Sequence, residues 1–223
     1  MILTSKLGLV ALGISASALT VYALRDKPVP AAARTTSGVA RQVKQQPDHW
    51  VAFSADVREI VGPNVSLGRF YRDSHGSTRN ERRSPLDQAQ TTITIDNHTD
   101  GSMYTRDPIL GRWAVYRQSK PAKSGPPILR DDTRGLSSTP ESDRIEGYEV
   151  FRIDSTKSGQ FRLVAPDLNF FALMVCSSAE ERTEYFNVVV SEVPPAMFLP
   201  PDGVPLRMAT SLTDLFRLPA VKK

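Results

Sequence analysis

The sequence predicts a mainly β protein: a curved antiparallel sheet or half-open barrel with one or two short helices, preceded by an N-terminal hydrophobic helix. Three observations carry this. Eight short runs rich in Val, Ile, Thr and aromatics lie between His49 and Val193, the composition that suits a pleated, half-buried surface. Their starts recur at roughly ten-residue spacing, which fits a meander, sandwich or barrel better than alternating βα units. The long uncharged run, Leu7 to Leu24, stands apart at the start of the chain, between Lys6 and Arg25.

That first run reads as an export element, residues 1–24 being a signal peptide or membrane anchor. Ala16-Ser17-Ala18 and Val21-Tyr22-Ala23 both offer the small-residue pattern of a signal-peptidase site. The run is also long enough to cross a bilayer uncut. The expected location is therefore periplasmic, or anchored to the inner membrane by this segment. It contains no cysteine, which excludes acylation at an N-terminal Cys. Residues 25–48, with KPVPAAARTTSGVARQVKQQP, have neither apolar period and read as a flexible linker.

An antiparallel β domain is expected over 49–210. HWVAFSADVREI, SLGRFYRDS, TTITIDN, GRWAVYRQS, GYEVFRID, GQFRLVAPD, FFALMVCSS and RTEYFNVVVSEV supply its strands. Period-2 alternation puts Ile93 and Ile95 opposite Thr92, Thr94 and Asp96. It likewise puts Tyr148 and Val150 opposite Phe151 and Ile153. Residues 118–144, with four prolines, are too long and too polar for a hairpin connection and read as a long polar loop. Residues 211–223 form a C-terminal helix and tail, with Ser211 as cap and Leu212, Leu215 and Phe216 as its apolar face.

The segment LGRFYRDSHGSTRNERRS, Leu67 to Ser84, carries five arginines and a histidine. Asp73-Ser74-His75-Gly76 has Asp and Gly where a type I turn wants them, so the segment reads as a hairpin. Alternation sends Phe70 and Tyr71 to opposite faces, whereas an RNA platform keeps its aromatics together. The polar return arm, Ser77 to Arg83, would lean on pairs with Asp73 or Glu81 and suits a solvent-facing hairpin near one edge of the sheet.

Charge and motifs exclude several activities. The net charge of +4 is spread along the chain rather than concentrated, which is not a nucleic-acid footprint. No phosphate-binding glycine motif and no G-x-S-x-G elbow occurs. The three histidines, His49, His75 and His98, stand apart from one another and from acidic clusters, so no metal site is expected. Cys176 is the only cysteine, which rules out an intramolecular disulfide; its LMVCSS setting reads as a buried strand. No catalytic residue and no cofactor is assigned.

The hairpin text GRFYRDSHGSTRNE resembles a strand-turn-strand of uncharacterised exported proteins of acidobacterial type, which place aromatic-Arg-Asp-Ser-x-Gly-Arg-x-Arg there. RIEGYEVFRI, APDLNFFALMV and TEYFNVVVSEVPPAMFLPPDGVPL resemble the closing pattern of the same proteins. The match covers roughly 64–83 and 145–206, and departs at Ser77, where the pattern has Arg. More distantly the chain is similar to outer-membrane lipoprotein-sorting (LolA/LolB-like) proteins. That resemblance implies a strongly curved, incompletely closed sheet with an apolar cavity for acyl chains. It makes Trp50, Phe53, Phe70, Trp113, Tyr116, Phe151, Phe161, Phe171 and Tyr185 a candidate apolar-ligand face.

Three functions follow as expectations. The first is a non-enzymatic bacterial envelope protein binding a lipid, acyl chain or lipoprotein in the curved sheet. The second is a structural or protein-interaction module of the envelope, with an envelope protein as partner and membrane contact through the N-terminal segment if it is uncleaved. The third is a hydrolase with no recognisable motif. Intact-mass measurement on protein from its native host should show loss of the first 18 or 23 residues; the full mass would identify an uncut anchor.

Overall fold

The computed structural model describes residues 49–83, 90–118, 144–155 and 159–216. The expected signal segment and linker, and all but the ends of the 118–144 loop, lie outside these. Among the described residues eleven strands make one mixed sheet. They are β1 (Phe53–Val61), β2 (Asn64–Arg72), β3 (Thr78–Arg83), β4 (Thr91–Asn97), β5 (Ser102–Arg106) and β6 (Trp113–Arg117), then β7 (Phe151–Asp154), β8 (Phe161–Ala165), β9 (Phe171–Cys176), β10 (Glu181–Val190) and β11 (Leu206–Met208). The spatial order is β11-β6-β5-β4-β3-β2-β1-β10-β9-β8-β7. All eight expected runs form strands; β5 and β11, in SMYTR and LRM, are additional.

Two antiparallel meanders, β1 to β6 and β7 to β10, are joined where β1 pairs with β10. The sheet is open, since the order ends at β11 and β7. The expectation of a purely antiparallel sheet is corrected at one edge, where β11 runs parallel to β6. The path of the chain after β10 is the reason. Residues 193–204 cross one face of the sheet as a strap before the chain enters β11, so the last strand arrives by a crossover rather than by a hairpin. Val193, Met197, Phe198 and Val204 of the strap pack on Ile95, Tyr104, Trp113 and Val115. Arg79 donates to the Met197 carbonyl at 3.0 Å and Asn97 to that of Phe198 at 3.2 Å, fixing the strap to β3 and β4.

The opposite face carries two further cores. Phe53, Ala55, Val57, Phe70, Leu173 and Tyr185 cluster at the junction of the two meanders, closed over by Val150, Ala165 and Leu168. We call this the aromatic face. At its far end the short helix α1 (Leu212–Leu215) packs Leu215, Leu212 and Phe216 on Met103, Ala114 and Tyr116. Ser211 caps it, its hydroxyl accepting from the Asp214 amide at 3.0 Å, as the sequence predicts. The predicted alternation also holds: Val150 enters the aromatic cluster while Phe151 and Ile153 enter a separate one with Val164 and Phe170.

The sheet bends at the junction. Phe171 on β9 and Phe70 on β2 are three strands apart, about 14 Å in a flat sheet, yet their ring centroids are 4.9 Å apart. Two irregularities flank this region. One extra residue in β10 opposes Ser54 to Asp56 of β1, and one extra residue in β9 opposes Leu163 to Val164 of β8. Such bulges bend a strand and raise its local twist. Asn187 takes the positive φ of 51° in the first of them, a conformation Asn tolerates better than most residues.

The arginine-rich hairpin forms as expected, with the Gly76 amide donating to the Asp73 carbonyl at 3.2 Å. The Asp73 carboxylate also accepts from the amides of His75 and Ser77 at 2.9 and 2.7 Å. Its expected position near an edge is corrected: β2 and β3 are the sixth and fifth strands in the order above, in the centre of the sheet. The polar return arm is central because both its neighbours are long hairpin partners, and its charges are met there. Arg79 pairs with Glu81 at 2.6 Å and Arg82 with Glu59 at 2.5 Å.

Between β2 and β3 the backbones approach so closely that a Cβ on Gly68 would lie 2.0 Å from the Glu81 carbonyl oxygen. Gly62, at the β1–β2 turn with φ +56°, has open space around it. Gly68→Ala should therefore cost about 3 kcal/mol of stability, against about 1 kcal/mol for Gly62→Ala, as measured by urea unfolding.

Candidate functional site

The candidate site is built around the aromatic cluster. β1 and β2 present Phe53 and Phe70 on the same face because Ala55 opposes Phe70 in register and Phe53 lies two residues away. β9 and β10 add Phe171 and Tyr185 across the bend. Ring centroids are 5.5 Å apart for Phe53–Phe70, 5.0 Å for Phe53–Phe171, 5.6 Å for Phe70–Tyr185 and 4.8 Å for Phe171–Tyr185, mostly edge-to-face as ring quadrupoles prefer.

Arg72, the last residue of β2, enters this cluster and is buried. Its guanidinium lies 4.7 Å from the Phe53 centroid, 5.2 Å from Trp50 and 5.7 Å from Phe171. It donates to the Val51 carbonyl at 2.9 Å, the Leu168 carbonyl at 3.0 Å and Asn169 Oδ1 at 3.1 Å. Burial lowers its pKa to about 9, opposed by nearby Asp73; it is a cation at neutral pH. The ring faces and carbonyls replace the water that burial removes.

Asn169 organises the same region. Its side-chain oxygen also accepts from the Val51 amide at 2.8 Å, and its amide donates to the His49 carbonyl at 2.9 Å. Asn169 and Phe170 both have positive φ, 53° and 56°. The second is strained for a bulky residue, at a cost of order 1 kcal/mol or more. The turn delivers Phe171 to the aromatic cluster and Phe170 to the opposite one.

Trp50 is held over the hairpin turn: a Cβ on Gly76 would lie 2.6 Å from its ring. His98 packs against Trp50 with centroids 6.1 Å apart. Tyr185 is buried, and burial raises its phenol pKa, opposed by the nearby Arg82 cation.

Of the nine residues expected to line one apolar face, five therefore converge: Trp50, Phe53, Phe70, Phe171 and Tyr185. The other four lie elsewhere. Trp113 packs under the strap on the opposite face, Tyr116 under α1, and Phe151 with Val164. Phe161 meets the guanidinium of Arg152, 3.9 Å from its centroid, at β7–β8. Arg72 and Asn169 were not among the expected residues. Alternation from Phe70 does place Arg72 on the inner face, and the aromatic-Arg-Asp-Ser-x-Gly text marks this arginine together with its turn.

Cys176 ends β9 half-buried, and burial raises its thiol pKa, which reduces its nucleophilicity at neutral pH. Among the described residues no group of His, Cys, Asp and Glu could hold a metal ion, and no helix is long and apolar enough to cross a membrane. A surface depression of about 390 Å³ lies away from the aromatic cluster, lined by Ile60, Gly62, Pro63, Ala179, Glu180 and Arg182.

No protein-family model matches the chain, and no curated protein matches it. A solved structure with a similar fold is that of an uncharacterized conserved protein from Thermus thermophilus, with TM-score 0.51 and 9% identity over 78% of this chain and 99% of that one. The likeness is one of fold.

Arg72→Met should destabilise the protein by about 3 kcal/mol, because two carbonyls and the Asn169 oxygen lose a charged donor in a buried setting. Urea unfolding of the variant beside the parent chain measures this.

Proposed function

We propose that the protein is a non-enzymatic module of the bacterial cell envelope that acts by holding a partner against its sheet. The observation that carries this reading is the state of the aromatic cluster. In a carrier of acyl chains the bent sheet would leave its hollow open; here Phe53, Phe70, Phe171 and Tyr185 are in mutual ring contact and Arg72 fills the space towards Trp50. An acyl chain entering there would have to displace a guanidinium with three hydrogen bonds, and apolar burial at ~25 cal/mol per Å² would first have to offset that loss. This favours an interaction module over a lipid carrier.

Export rests on the N-terminal apolar run with its two small-residue cleavage patterns. The half-open barrel of the lipid-sorting resemblance is kept as the competing reading, supported by the bend alone. Protein purified from its native host and extracted with chloroform and methanol should release no stoichiometric lipid. Release of about one lipid per chain would overturn the interaction reading in favour of the carrier.

A further inference from the structure

Among the described residues the sheet ends at β7 and β11, and the two edges are finished differently. On β7 the apolar side chains Phe151 and Ile153 turn into a core, and Arg152 and Asp154 form an exposed ion pair. A charged edge of this kind resists pairing with a further strand. On β11 the exposed residues include Leu206 and Met208, 42% and 60% accessible. The one charge of that strand, Arg207, is engaged by α1: it donates to the Asp214 carboxylate at 3.0 Å and to the Asp214 carbonyl at 2.7 Å.

The β11 edge is unfinished in two ways that coincide. The first concerns the backbone. The Ala209 amide donates to the Val115 carbonyl at 2.8 Å, so Ala209 and, two residues back, Arg207 turn their peptide groups to β6. Peptide groups alternate along a strand, which directs the N–H and C=O of Leu206 and Met208 outward. Among the described residues no strand lies beyond them. The second concerns the apolar layer. Trp113 and Val115 are buried under the strap. Leu206 and Met208 continue that row on the same face, one strand further out, and are exposed. Ile109 and Leu110 are exposed in the turn that leads into Trp113, where the Asp107 carboxylate accepts from both their amides.

We propose that β11 is a pairing edge and that its occupant is β11 of a second copy of this chain, antiparallel, in a two-fold dimer. The outward peptide groups choose the class, since they need another extended backbone. Self-complementarity chooses the copy. About a two-fold axis normal to the sheet at Arg207, Leu206 faces Met208 of the second copy and Met208 faces its Leu206. Each pair is of the kind that exchanges two hydrogen bonds, so every outward group of both strands is used. The axis keeps the two strap faces on one side, where the same residues meet as apolar cross-strand pairs. The two Arg207 side chains fall on the other face, each held by its own Asp214. A three-residue pairing buries well under the ~800 Å² per partner of a standard interface, so the dimer is a weak one.

The inference goes beyond the module reading and does not depend on it. Its test is sedimentation velocity of the full chain in a non-ionic detergent, from about 5 µM to about 1 mM, a range that spans weak association. A reversible equilibrium of monomer and dimer is expected. Leu206→Lys with Met208→Lys should raise its Kd about tenfold or more and leave the melting temperature unchanged, because both side chains are exposed. Association through the N-terminal apolar run would survive that double substitution and would overturn the edge as its source. Register is read by disulfide formation in a Cys176→Ser background. Leu206→Cys should cross-link to Met208→Cys when the two chains are mixed, and neither should cross-link to itself, because only the mixed pair comes within disulfide reach. The reverse pattern overturns the antiparallel pairing. A chain that stays monomeric at the highest concentration overturns the second copy as occupant, even where the edge accepts a strand from another protein, and leaves the module reading intact.

Discussion

A buried cation holds the two meanders together. Arg72 sits where they meet, and its guanidinium touches the rings of Trp50, Phe53 and Phe171 while donating to the carbonyls of Val51 and Leu168 and to Asn169. Through it the end of β2, the segment before β1 and the turn before β9 are tied to one point. An arginine without such partners would be strongly destabilising at this depth. The bend makes its burial tolerable, because only a bent sheet brings Phe171 and the 168–169 carbonyl and amide over β2. Ring packing, bulges and the arginine are thus mutually required.

The consequence is a sheet whose two faces are filled in different ways. On one face a strap of residues 193–204 supplies Phe198 and Met197 to cover β4 to β6. On the other, the bend covers the junction with the sheet's own aromatics, and α1 covers the far end. Among the described residues neither device reaches the middle of β3 to β5 on the aromatic face, where the side chains are Thr78, Asn80, Thr94 and Asp96. Polarity there follows from geometry: a position that neither core reaches has no need of an apolar residue.

The topology also gives the long polar loop a reason. β6 and β7 follow one another in sequence among the strands, yet they stand nine places apart in the sheet order. A hairpin cannot join them. The length and prolines of 118–144 read locally as a flexible excursion, and no local signal marks the span between the strands that it links. Much else is legible. Ile93 and Ile95 turn to the strap side and Thr92 and Thr94 to the other, Asp73 and Gly76 make the turn, and Ser211 caps the helix, because each is set by neighbours within a few residues.

Strands, their faces and their turns can be read from the chain alone, since period-2 alternation and turn chemistry are local. The pairing of β1 with β10, where Arg58 meets Glu184 across 126 residues, emerges only on folding, and with it the central place of the arginine-rich hairpin. That pairing divides the aromatics: Trp50, Phe53, Phe70, Phe171 and Tyr185 share one core, and Trp113, Tyr116, Phe151 and Phe161 join others. Alternation fixes which side of its own strand a ring faces. It carries no information about which distant strand the bend will bring against it.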